Sequence, residues 1–171
     1  MQVDAKLLVL VMLAGGCAAE MEDDDDLPLE VTEEDMEADA EFGMSVGDGK
    51  EDSALSYVAV ARLVKNTGVP CTGERIAMAT AIAKAESGFR PWITNTAGNA
   101  HGIDRGLWQI NSYWHPEVSA SCALSASCNA RAAMRISKKA TVWREWWTWK
   151  NNKHLPFMNS SRQAQASVCG G

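Results

Sequence analysis

The sequence predicts a mostly α (α+β) domain over residues 54–171, with a small loop or hairpin region, behind an acidic arm. Two observations carry this. Charge divides sharply: residues 18–53 hold 16 Asp and Glu against Lys50 alone, net −15, whereas residues 54–171 are net +9. Apolar residues then recur at helical spacing through most of residues 54–150, interrupted by one Gly- and Asn-rich stretch.

The chain opens with an apolar run, Leu7 to Ala14, preceded by Lys6. It is too short to span a bilayer and has the proportions of a signal-peptide core. Ala14-Gly15-Gly16-Cys17 resembles a bacterial lipobox, in which the cysteine is lipidated and becomes the mature N-terminus. Residues 1–17 are therefore expected to be a signal peptide with lipidation at Cys17, placing the protein at the cell envelope on a lipid anchor. Ordinary export with a cut after Ala19 is the alternative.

Residues 18–53 are expected to be a disordered linker. Asp23 to Asp26 are consecutive, further acids recur through Glu41, and large apolar groups are few. Ordering such a segment costs more chain entropy than burial returns. The simple reading is a solvated spacer; the other is an arm that folds back on the +9 domain and competes with substrate.

The folded part begins near Ala54. Leu55, Val58, Ala59 and Val60, then Leu63 and Val64, have helical spacing up to Asn66-Thr67-Gly68. A second helix is expected to start after Thr72 as N-cap and to run to Ser87, with Gly88 as its stop. Ala79, Ile82, Ala83 and Glu86 share one face of it. Residues 89–106, with Pro91, Gly98, Gly102 and Gly106, read as loop and short hairpin. Asn129 to Lys139 and Thr141 to Lys150 are expected helices, and residues 155–171 are polar and weakly patterned. A domain of about 115 residues is large enough for its own core.

With Cys17 assigned to lipid, Cys71, Cys122, Cys128 and Cys169 remain, an even number in an exported chain. Of the three possible pairings, Cys122–Cys128 would close a short loop and Cys71–Cys169 would pin the C-terminal tail. Cys-x5-Cys spacing and scattered His101, His115 and His154 do not suit zinc. No metal or organic cofactor is expected.

Glu86 is the first candidate for chemistry. Apolar neighbours on its face desolvate a carboxylate, and a helix C-terminus disfavours negative charge; both raise its pKa. A protonated carboxyl near neutral pH is what a glycosidic leaving oxygen needs. A surface glutamate paired with Arg90 is the alternative. Asp104 follows as a possible second carboxylate across a scissile bond, or as an ion pair with Arg105. All seven tryptophans lie beyond Glu86. Indole stacks on sugar rings as readily as it fills cores.

Glu86-Ser87-Gly88-Phe89 followed by Gly106-Leu107-Trp108-Gln109-Ile110-Asn111 resembles the soluble lytic transglycosylase (SLT) domain. That family has a Glu-Ser pair ending a helix and then a Gly-Leu-Met-Gln-like motif. The resemblance implies a lysozyme-like fold with a glycan cleft and Glu86 as catalytic acid and base. Ser87 and Gln109 are then polar contacts in the groove, with Trp108 and Asn111 beside them. Trp149-Lys150-Asn151 stands where the family has Ala-Tyr-Asn, making Trp149 a substrate contact. Asp104-x-Gly106-x-x-Gln109-Ile110-Asn111-Ser112, with Tyr113-Trp114, also resembles C-type lysozymes, in which the aspartate is catalytic. His115 stands where that family has cysteine.

Both resemblances imply cleavage of the β-1,4 bond between N-acetylmuramic acid and N-acetylglucosamine in peptidoglycan, by a transglycosylase with Glu86 or a hydrolase with Glu86 and Asp104. A non-catalytic glycan-binding module is the rival from another class. The expected partners are peptidoglycan strands and, through Cys17, a membrane. The charge of the domain also suits nucleic acid, but no recognised motif supports it, and a monomer is expected.

Overall fold

The computed structural model describes residues 28–41, 54–96 and 101–170. The expected signal peptide and lipidated Cys17 lie outside them, as do residues 18–27 and 42–53 of the expected linker. Seven α-helices, a short 3-10 helix and a three-stranded antiparallel sheet are described. In order they are α1 (Glu33–Glu41), α2 (Tyr57–Asn66), α3 (Arg75–Ser87), β1 (Thr94–Asn95), β2 (Asp104–Arg105), β3 (Ile110–Asn111), α4 (Ala120–Leu124), α5 (Ala126–Ile136), α6 (Trp147–Lys150) and α7 (Met158–Cys169).

Helix α3 is the axis of the fold. Ile76, Ala77, Ala79, Ala81, Ile82 and Ala83 are all fully buried, so it is apolar nearly all round. Its alanines let α2 and α7, which also pack on each other, approach closely. Thr80 satisfies its hydroxyl on the Ile76 carbonyl one turn back. Gly88 ends the helix in the left-handed region (φ 66°), its N–H bonded to the Lys84 carbonyl. The expected cap at Thr72 is not the start. Glu74 holds the N-cap position without a side-chain capping bond, and Gln165 of α7 supplies the acceptor for the Ala77 N–H at 2.8 Å. The other end of that amide donates to the Gly73 carbonyl.

The tail is thus a helix. Apart from Met158 at its start, its inward face is made of small or polar groups, Ser161, Ala164 and Gln165, which carry little apolar signal. The Cys71–Cys169 disulfide fastens its end, and Cys122–Cys128 joins α4 to the first turn of α5. Each bridge closes loop entropy in the unfolded chain; one spanning 98 residues is worth on the order of 4 kcal/mol.

The loop after α3 returns as the sheet, with Thr94 opposite Arg105 and Asp104 opposite Asn111. Gly106 is fixed by space as well as by its positive φ. A Cβ there would run into the Ala123 carbonyl oxygen. Fully buried Asn129 sits against this glycine. It accepts from the Trp108 N–H and donates to the Ala123 carbonyl.

Residues 141–150 do not form the single helix expected. Lys138, Lys139 and Ala140 are all left-handed, which ends α5 and redirects the chain, and only Trp147–Lys150 is helical. Trp143 and Trp146 turn inward instead, and the Trp146 indole donates to the Trp108 carbonyl at 2.8 Å.

The largest departure from expectation is the acidic segment. Residues 28–41 are ordered against the domain rather than a solvated spacer. Leu29 pairs with Val118 in a short parallel bridge. Thr32 and Asp35 form a reciprocal cap that starts α1. Asp35 bonds Arg131 of α5 at 2.7 Å. Asp39 is 1% exposed; it accepts from the Ser125 hydroxyl at 2.7 Å and the Ser127 N–H at 2.9 Å, at the N-terminus of α5. Composition misses this because the acids replace apolar burial with bonds to donors.

Candidate active site

A cleft of about 460 Å³ opens between the end of α3, the sheet, and the turn leading into α6. Glu86 lines it from the last turn of α3, and Asp104 from β2. Gln109, Ile110 and Asn111 form its sheet side, continued by Trp114 and His115. Glu145, Trp146, Trp147 and Lys150 form the facing wall. No residue of 28–41 lines it, so the docked acidic segment stands elsewhere.

Glu86 receives the Thr148 hydroxyl at 2.5 Å. Its pKa is raised from 4.5 to about 7. Burial is the main cause; the hydroxyl and backbone N–H of Thr148 pull it down, and the charge of Asp104 pushes it up. The carboxyl is therefore protonated through much of the range below neutral. Arg90, the partner considered for Glu86, turns its guanidinium to the Ser87 carbonyl instead.

Asp104 accepts from the Asn111 side chain at 2.7 Å across the β2–β3 pair. Asn111 also takes the N–H groups of Tyr113 and Trp114 on its oxygen. One residue thus positions a carboxylate and shapes the turn carrying an exposed indole. Tyr113 stacks on His101 and meets Trp114 edge-on, both at 4.8 Å between ring centres. Trp114 (68% exposed) and Trp147 (62%) both line the cleft, so two exposed indoles are available for sugar faces.

Glu86, Asp104, Gln109 and Asn111 are brought together. Gln109 spends both amide hydrogens on the carbonyls of Gly106 and Ile93, so a contact with a bound glycan falls to its oxygen. Three expected substrate contacts are corrected. Ser87 is buried; its hydroxyl donates to the Ala83 carbonyl and accepts the Phe89 N–H, so it shapes the helix end. Trp108 is fully buried in the core, its indole N–H on the Ala79 carbonyl. Trp149 lies on a separate groove with Glu74, Arg75 and Met78, because the short α6 turns it away from Glu86.

Thr148 went unrecognised in the sequence, as did Trp114 and Trp147 among seven tryptophans. The only available signal for Thr148 was a lone hydroxyl inside Trp147-Thr148-Trp149. Among the described residues no three His, Cys, Asp or Glu side chains converge as a metal-ligand set.

Residues 61–148 match the family described as lysozyme-like domain, a span that runs from α2 through α6 and includes Glu86, Asp104 and Thr148. No curated protein matches the chain.

Proposed function

The chain belongs to the lysozyme-like domain family, and from that premise we propose that it is a peptidoglycan-cleaving glycosidase of lytic transglycosylase type, with Glu86 as acid and then base. Domains of this family are generally glycosidases or transglycosylases acting on peptidoglycan. The observation that supports Glu86 as the acid is its place in the cleft with a pKa raised to about 7 by burial, which the first step of either outcome needs. A carboxyl so poised gives its proton near neutral pH and readily takes one back.

In the first step Glu86 protonates the oxygen linking N-acetylmuramic acid to N-acetylglucosamine. The C1–O bond breaks and the N-acetylglucosamine side leaves as an alcohol. The acetamido oxygen of the muramic unit closes on C1 and holds its positive charge. In the second step the Glu86 carboxylate takes the proton of the C6 hydroxyl, and O6 attacks C1. The acetamido bond opens and a 1,6-anhydro end results. The Thr148 hydroxyl holds the Glu86 carboxylate in place between the two steps.

Hydrolysis is the second reading, favoured by one observation. Asp104 lines the same cleft, is held by Asn111, and is close enough for its charge to act on Glu86. In that reading Asp104 stabilises or attacks C1, and water completes the reaction.

The test is digestion of peptidoglycan sacculi by the protein, with products weighed by mass spectrometry. Anhydro ends are expected, with most activity retained in Asp104→Asn. Reducing ends, with activity lost in Asp104→Asn, would replace the transglycosylase by the hydrolase. No release at all would leave a glycan-binding module, and equal release by Glu86→Gln would remove Glu86 from the mechanism.

The proposed location is the cell envelope, on a lipid carried by Cys17. The two disulfides support an oxidising compartment. Intact mass of the mature protein tests the anchor: a diacylglyceryl-modified Cys17 N-terminus is expected, and an unmodified N-terminus following Ala19 would contradict it.

A further inference from the structure

A second groove, of about 540 Å³, runs along α5 and is lined by Thr67, Arg131, Met134, Arg135, Lys138 and Lys139. It is distinct from the cleft. Of α5, only Ile136 lines the cleft, and on a helix Ile136 points well away from the direction shared by positions 131, 134 and 135. Among the described residues that line it, four of six are cations and none is an acid.

The backbone contributes to this concentration of charge. On a continuing helix Lys138 and Lys139 would diverge by about 100°. Instead they are left-handed, with φ of 51° and 55°, followed by Ala140 at 60°. Three such non-glycine residues in succession are unfavourable and persist only where the surroundings fix them. Here the Lys139 N–H bonds the Met134 carbonyl at 2.7 Å, and Ser137 accepts from Ala140, Thr141 and Val142. The outcome is that both lysines line one groove.

The adjoining surface already holds an acidic chain. Helix α1 docks at the end of the groove, where Thr67 and Arg131 also line the depression formed with Glu34 and Asp35. Arg131 is bonded there to Asp35 at 2.7 Å and to the Glu30 carbonyl at 2.8 Å. One end of this cationic track is therefore occupied by carboxylates of the same chain. The lysine end extends beyond them.

We propose that this groove is a binding site for a linear polyanion, held by Lys138, Lys139 and Arg131, and that the α1 segment occupies its Arg131 end in competition with the polymer. The recognised chemistry is a run of phosphate or carboxylate groups. Nucleic acid is disfavoured because the lining has no aromatic side chain on which bases stack. The site is independent of the bond-cleaving reading, since it uses none of the cleft residues.

The test is fluorescence anisotropy with the full chain, using labelled inorganic polyphosphate, polyglutamate, and single-stranded DNA of matched charge. Polyphosphate or polyglutamate is expected to bind, and the stronger of the two identifies the anionic group. Lys138→Gln/Lys139→Gln should weaken that binding roughly tenfold or more, as loss of two charge-assisted contacts implies. Asp35→Asn should strengthen it several-fold by releasing Arg131. Arg75→Gln/Arg144→Gln, which removes equal charge elsewhere, should change it less than about twofold. Circular dichroism and sacculus digestion confirm that each variant is folded. An equal loss in the two double variants would overturn the site in favour of diffuse attraction to the basic domain. So would unchanged binding by the lysine variant, or a preference for DNA above tenfold. Unchanged binding in Asp35→Asn would overturn the competition.

Discussion

Glu86, half-buried in the cleft, and Asp39, fully buried under α5, are acids whose surroundings give them opposite work. Asp39 meets the N-terminus of α5, where a backbone N–H and a serine hydroxyl point at it. Both donors fix the side chain against α5. Glu86 sits at the C-terminal end of α3, partly desolvated in the cleft, with Thr148 as donor and another carboxylate nearby. Charge is disfavoured there, and the proton is kept. Burial alone therefore does not mark a catalytic acid. The end of the helix and the donors that face the carboxylate decide between a structural clasp and a proton source.

The largest expected effect separates the two acids by activity. Glu86→Gln should lower glycan cleavage by about 10³-fold or more, within the range of general acid catalysis. Asp39→Ala should leave kcat within about twofold, since the cleft lies elsewhere, as a sacculus-release assay would show.

Stability should reverse that order. Asp39→Ala leaves the Ser127 N–H and Ser125 hydroxyl without their buried acceptor. A loss of about 2–3 kcal/mol is expected in denaturant unfolding. An unchanged midpoint would mean that α1 adds nothing to the fold.

The effect of Glu86→Gln on stability depends on pH. The Glu86 carboxyl titrates at about 7 in the fold against an ordinary 4.5, so the folded state holds the extra proton between those values. Its favourable contribution is complete below pH 4.5 and is lost as pH rises through 7. Glutamine carries no charge to desolvate. Glu86→Gln should therefore gain roughly 2–3 kcal/mol over wild type at pH 8, shrinking towards pH 5, in thermal or urea melts.

The smallest change is at Thr148. Thr148→Val removes a donor to the Glu86 carboxylate, so the pKa rises further and the alkaline limb of kcat/KM moves to higher pH. A loss of roughly tenfold at the optimum is expected from the looser carboxyl. Thr148→Ser should restore both the limb and the rate.

How far the sequence reveals all this follows from what holds each part together. Helices α2 and α5 repeat apolar groups on one face and α3 is apolar nearly all round, so their presence is legible; so is Glu86, because its place at the end of an apolar helix already implies partial burial. Helix α7 is not, because apart from Met158 its packing face is Ser161, Ala164 and Gln165, and a glutamine amide bonds it to α3. Trp108 resembles a sugar platform in a motif, yet its place depends on the Ala79 carbonyl 29 residues earlier. Thr148 acts through a contact 62 residues away, which no local pattern encodes. The docked acidic segment escapes a rule that counts apolar area, since Asp35 and Asp39 hold it through Arg131, Ser125 and Ser127.

The most direct test of the central claim is a carbon-13 NMR titration of the glutamate side-chain carboxyls in the full chain, with Glu86→Gln assigning the resonance. The expected result is one carboxyl that titrates at about 7 and is missing from the variant. If every glutamate, Glu86 included, titrates near the ordinary 4.5, the cleft holds no proton donor at neutral pH and the account fails.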